Sequence, residues 1–236
     1  MFVHGKNTKV YVNGYDLSDM FRASSIPAAS GTAETTTYGK SDKTFIAGLK
    51  EATISVEGLF DGTADKVDEV LAPILGASAK SVWTILQGGD VLGGRGVGVD
   101  GIETAYEVTS PIEDAVQVTA EAQSSSGRDG IIVHHALAAR TSDFDGAGVD
   151  GGAASTNGGI GYMHVTDYSG FSSVVIKIQD SADDISYADL LTFSAVSSAP
   201  LAERQAVAGT VRQYTRVAID VTGIGSITLF AGFGRK

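Results

Sequence analysis

One stretch of this chain, "DGTADKVDEVLAPILGAS", carries helical spacing. Val67, Val70, Leu71, Ile74 and Leu75 recur at intervals of three and one, the stripe an amphipathic helix buries. Thr63 is placed to cap this helix and Asp65 suits its first turn. Pro73 bends or shortens it and Gly76 is placed to end it. The other apolar runs are short and bounded by turn residues, in a chain with 30 glycines among its 236 residues. Such a chain has to build its core mainly from strands.

The strands can be read in order. "KVYVNGYDLS" centres on Asn13-Gly14, a dipeptide that tolerates two positive φ angles and so signals a hairpin. In "ATISVEGLF", Ile54, Val56, Gly58 and Phe60 share one face, while Thr53, Ser55 and Glu57 share the other. "SVWTILQ", "TAYEVTS", "AVQVTAEAQSS" and "GIIVHHALAA" follow as separate strands. "TSDFDGAGVDGGAASTNGGIG" has linker composition and divides residues 1–140 from 141–236. Beyond it, "GYMHVTDY", "SVVIKIQDS", "DLLTFSAV", "QYTRVAIDV" and "SITLFAGFG" predict a second β-sandwich of jelly-roll type, with no internal repeat linking the two parts. Between the first strands lies Ser24–Lys50, rich in Ser, Thr, Gly and Ala, without helical period and predicted to be a long loop.

Net charge is −11 and both parts are acidic, so the basic footprint of a nucleic-acid binder is missing. There is no cysteine for a disulfide or a thiol nucleophile. No apolar run reaches membrane-spanning length, and the opening "MFVHGKNTKV" carries no secretion signal.

Chemical motifs are few. Gly96–Gly101 matches GxGxxG, but a strand follows it, so a glycine-rich hairpin connection is expected instead of a dinucleotide site. His134 and His135 are adjacent on a strand and point to opposite faces, one predicted buried and one exposed, so they do not chelate together. Asp143, Asp145 and Asp150 lack the spacing of a calcium loop and read as solvated linker charges, as do Asp180, Asp183, Asp184 and Asp189. No GxSxG elbow and no general-base pair is present, so neither an enzyme nor a bound cofactor or metal is expected.

"HGKNTKVYVNGYDLSDMF", "SGTAETTTYGKSDKTFIAGLKEATISVEGLFDG" and "ADKVDEVLAPIL" together resemble the major tail (tube) proteins of long-tailed bacteriophages. The match runs to about residue 130, and the remainder resembles the β-rich module that often follows such a domain. The resemblance implies a tail-tube-like β-sandwich or barrel with one flanking helix. Copies would close into rings, expected to be six-fold, whose inner sheets form a continuous barrel. The rings would stack in the virion tail after assembly in the bacterial host cytoplasm, together with other tail proteins. The long loop would reach the neighbouring ring, with Ile26, Pro27, Thr35, Tyr38, Phe45, Ile46 and Leu49 as interface residues. Viral DNA would pass through without specific binding, repelled by channel acids for which Glu57, Glu107 and Glu121 are candidates. A different class stays open: a virion surface module whose C-terminal sandwich binds glycans, with Tyr162, Tyr168, Tyr187 and Phe171 as stacking rings. Neither reading involves a membrane.

Overall fold

The computed structural model describes residues 3–236; Met1 and Phe2, part of the stretch read for a secretion signal, lie outside the described residues. It is mainly β, with antiparallel pairing and one short helix, in agreement with the periodicity.

β1 (Lys9–Val12) and β2 (Tyr15–Asp16) meet at Asn13 and Gly14, whose φ angles of 49° and 91° make the predicted tight turn. Gly14 has a second reason to be glycine: a Cβ there would sit 2.4 Å from the backbone nitrogen of Leu201. β3 (Phe21–Ser25), β4 (Ala28–Glu34) and β5 (Phe45–Leu59) occupy the region predicted as a loop. The helix α1 is only Val67–Leu71, continued by a 3-10 turn over Ala72–Ile74 and ended by Gly76 at φ 66°. Pro73 lacks the N–H that would extend the α-helix. Thr63 does not cap it. Its N–H and hydroxyl both donate to Asp61, at 3.0 and 2.8 Å, and Asp65 at φ 62° turns the chain before the helix begins. Leu75 consequently falls outside the buried stripe and stays half exposed.

β6 (Ser81–Leu86) is buried along its whole length. β7 (Arg95–Thr109), β8 (Gln117–Ser124) and β9 (Asp129–Arg140) follow. The predicted linker is pinned by two short pairings to the last strand, β10 (Phe144–Asp145) and β11 (Val149–Asp150). β12 (Gly159–Ser181), β13 (Ala188–Thr192), β14 (Leu201–Val207) and β15 (Tyr214–Arg235) complete the chain. β12 and β15 each absorb two segments predicted as separate strands. Gly170 and Gly223, at φ 78° and 97°, lie where the ladder shifts register, so these glycines bend paired strands instead of reversing the chain.

Three apolar clusters result. One, around Ile54, Val56, Leu71, Trp83 and Val99, lies under α1. Another, around Ile176, Ile178, Val217 and Leu229, fills the C-terminal part. The third joins them, with Tyr11, Ile131 and Val133 packed on Ile160, Tyr162 and Phe230. Strand pairing also crosses from residues 1–140 to 141–236, because β9 pairs with β15. Polar groups reinforce this seam. Arg204 donates to Asp129 at 2.9 Å, the Tyr162 hydroxyl donates to the same carboxylate at 2.7 Å, and buried His164 accepts from the Gly14 N–H at 3.2 Å.

The seam explains the GxGxxG run, which is neither a dinucleotide loop nor a hairpin connection but the interior of β7. A Cβ on Gly98 would fall 2.4 Å from the Tyr162 ring. Gly98→Ala must therefore push a fully buried ring off its Asp129 hydrogen bond. Urea denaturation is expected to read a loss of about 3 kcal/mol, and a change within error of zero would show that the ring has room.

Candidate assembly surfaces

β3, β5, β8 and the Gly101–Thr109 half of β7 form a four-stranded antiparallel sheet. Its inner face carries Ile54, Val56, Val118, Ala120 and Ala122, all buried, as the alternation in these strands dictates. Gly58 belongs to that face, where a Cβ would lie 2.1 Å from the Met20 carbonyl oxygen, so only glycine lets β3 cross so closely.

The outer face is exposed and polar. Glu57, Thr119 and Glu107 are register partners in one row, and Ser55, Glu121 and Ala105 form the next. Thr53 and Gln123 follow, joined by a side-chain hydrogen bond of 3.1 Å. The three candidate acids thus share one face of one sheet, and all three are exposed. None of these facing residues is a lysine or arginine. Among the described residues, β3 pairs only with β5, and Thr104–Thr109 of β7 pair only with β8. Both outer edges therefore present unpaired backbone groups.

The predicted loop is a β-hairpin arm projecting from this sheet. β4 pairs with the first half of β5 from Ala28↔Ala52 to Glu34↔Phe45, and every residue of β4 is exposed. A two-stranded ribbon needs only main-chain pairing, so its Ser, Thr, Gly and Ala content concealed a regular element. The tip is fastened by threonines: Thr35 N–H donates to the Thr44 carbonyl at 2.8 Å, and Thr44 N–H to the Thr36 hydroxyl at 3.0 Å. Tyr38 and Leu49 are almost fully exposed, and Phe45 and Ile46 more than half. Ile26 sits differently, packed at the arm's root against the cluster under α1, and the Pro27 carbonyl accepts from Thr53 N–H at 3.2 Å. Thr35 lies at the far end, so the seven loop residues run from anchored root to free tip.

The remaining candidates do not gather into a site. His134 and His135 are both buried, not one of each, because β9 is sandwiched between cores. His134 contacts the Ile132 carbonyl and the Thr215 hydroxyl, while His135 contacts the Leu229 carbonyl and accepts from Arg140. Burial lowers both to about 4 and His164 to about 3. Asp143, Asp145 and Asp150 face different partners: Val221 N–H, Arg216 and Gly152 N–H. Tyr162 and Phe171 are core residues, and the Arg216 guanidinium covers one face of the Tyr187 ring at 4.1 Å. The spacing of residues did not mark Glu103. It is buried opposite Ala122 with both carboxyl oxygens unpartnered, and burial raises it to about 8.

No protein-family model and no curated protein sequence matches this chain. Among solved structures, it is similar to a chain in the tail of an empty gene transfer agent particle with C6 symmetry, at 16% identity and TM-score 0.44 over 54% of this chain and 97% of that one. A chain in the native gene transfer agent virion gives 15% identity and TM-score 0.47 over 55% and 98%. The SPP1 Dit protein, described as a hub adsorption apparatus paradigm in phages infecting Gram-positive hosts, gives 12% identity and TM-score 0.40 over 97% and 99%.

Proposed function

We propose that this chain is a structural subunit of a bacteriophage tail that assembles into stacked rings around a DNA-conducting channel. The observation that carries the proposal is one sheet with two free edges among the described residues, an exposed face whose paired rows across β5, β8 and β7 hold three acids and no lysine or arginine, and an exposed arm at its end. Free edges of identical sheets can pair, β3 of one copy with Thr104–Thr109 of the next, and closure into a ring removes every edge. The acidic face then lines the lumen. DNA slides past carboxylates because no counterions are released there to hold it. The arm brings Tyr38, Phe45, Ile46 and Leu49 to the adjoining ring, where burial of these side chains supports stacking.

Negative-stain microscopy of the purified full chain, with tail initiator added, tests this: rings or tubes are expected, and monodisperse monomers under all conditions would refute it. A second measurement tests the lumen. Tubes of Glu57→Lys/Glu107→Lys/Glu121→Lys are expected to retain duplex DNA at least about tenfold more tightly than wild-type tubes at low salt, and to release it as salt rises. Equal retention by both would place these side chains outside the channel.

A further inference from the structure

We infer that copies of this chain meet head to tail through oppositely charged ends of the four-stranded sheet, the occupant of each end being a second copy. The inference rests on the tube reading above and specifies its axial contact.

The two ends are defined by register. Thr53 pairs with Gln123 at the arm end, and Leu59 with Gln117 at the other, about 20 Å away along the strands. At the arm end, a cleft of about 780 Å³ opens between the root of the arm and the turn before β9. Lys50, Arg128 and Arg235 line it. Lys50 and Arg128 are exposed, and neither has a carboxylate within ion-pair distance among the described residues. Arg235 is held by the carbonyls of Ala153, Arg212 and Gln213, which fix its position without cancelling its charge. Two carboxylates also line the cleft, Glu51 and Asp129, and Asp129 is already matched by Arg204 at 2.9 Å.

The far end has the opposite sign. Residues 60–69 and 110–116 are tied together by the Phe60 N–H to Val116 carbonyl bond of 3.0 Å, and Tyr106 of β7 anchors the first of them by donating to Asp68 at 2.7 Å. They present Asp61, Asp65, Glu69, Glu113 and Asp114 against Lys66, and the register of β3 adds one more cation at this end, Arg22, so carboxylates outnumber cations there. Ile112, next to Glu113 in the chain, is fully exposed. A chain of net charge −11 repels its copies at long range. Gathering cations at one end and carboxylates at the other makes one orientation of approach attractive. It is also the orientation in which the arm, rooted beside the basic cleft, reaches along its neighbour.

The test uses full-length chains in two charge-reversed forms, Lys50→Glu/Arg128→Glu and Glu113→Lys/Asp114→Lys. Each alone is expected to form rings whose stacks are at least about tenfold shorter than wild type in negative stain. Rings of one form mixed with rings of the other are expected to stack again in alternation. Wild-type stacks are expected to shorten with added salt. Wild-type-length stacks from either reversed form, or no recovery on mixing, would overturn the charge pairing while leaving the tube reading intact. Failure of the wild-type chain to form rings would instead overturn the tube reading. Should either reversal unfold the chain, Lys50→Gln/Arg128→Gln replaces it, with a weakened salt dependence of stacking as the expected result and an unchanged one as refutation.

Discussion

Removal of the arm yields a folded chain that no longer assembles. The cut that the register allows runs from Ala29 to Glu51, with Ala28 joined to its partner Ala52 through an inserted Asn-Gly turn. Ile26 and Ala52, which pack on the core, are retained. What is lost is a ribbon exposed throughout, so the thermal midpoint is expected to stay within about 3 °C of wild type. Assembly is expected to respond very differently. Tyr38, Phe45, Ile46 and Leu49 are apolar groups already outside any core, and burying two such anchors against a neighbour is worth about 4 kcal/mol. Their loss raises the critical concentration for tube formation by about a thousandfold. Calorimetry and negative-stain microscopy on the same preparation check both halves. Tubes from the armless chain would remove the arm from the assembly mechanism.

Stability is expected to peak near neutral pH and to fall on both sides, for two different physical reasons. On the acid side, His134, His135 and His164 are buried in neutral form, with desolvation lowering them to about 4, 4 and 3. The unfolded chain takes up these protons first. Their contribution is complete above the ordinary histidine value and disappears as pH falls toward the folded values, by about 2 kcal/mol per histidine at pH 5. On the alkaline side the group is Glu103, raised by burial to about 8. A group raised in the fold contributes fully below its ordinary value and loses that contribution as pH climbs through the folded one. Relative to pH 5, Glu103 costs about 2–3 kcal/mol at pH 7 and more above pH 8. Urea titrations across pH 5 to 9 are expected to show both limbs, and Glu103→Gln to flatten only the alkaline one. An alkaline limb unchanged in Glu103→Gln would mean that this carboxyl ionises in the fold as readily as in the unfolded chain.

Much of this was legible in one dimension. The alternation in Ala52–Leu59 and Gln117–Ser124 required strands with one apolar face, and Asn13-Gly14 required a tight turn, because both depend on side-chain period and local φ preference. The polar partners of that alternation already contained Glu57 and Glu121. Elsewhere local signals misled. Glycines at 170 and 223 look like turn residues, yet they bend strands of 23 and 22 residues that remain paired across the bend. The arm has the sequence of a loop because a two-stranded ribbon leaves no apolar period when neither face is buried. Both buried histidines of β9 depend on layers contributed by β15 and its neighbours, distant in sequence.

The chain's own order of residues determined that it is a mainly β protein with one short helix, which faces its strands bury, and that its surface is acidic. Only the tertiary structure decided that Glu57, Glu107 and Glu121 stand on one sheet, that this sheet keeps two open edges, and that cations and carboxylates separate to its opposite ends. The reason is range: alternation acts between residues two apart, whereas register brings together strands many tens of residues apart, and no local preference encodes which edge is left without a partner.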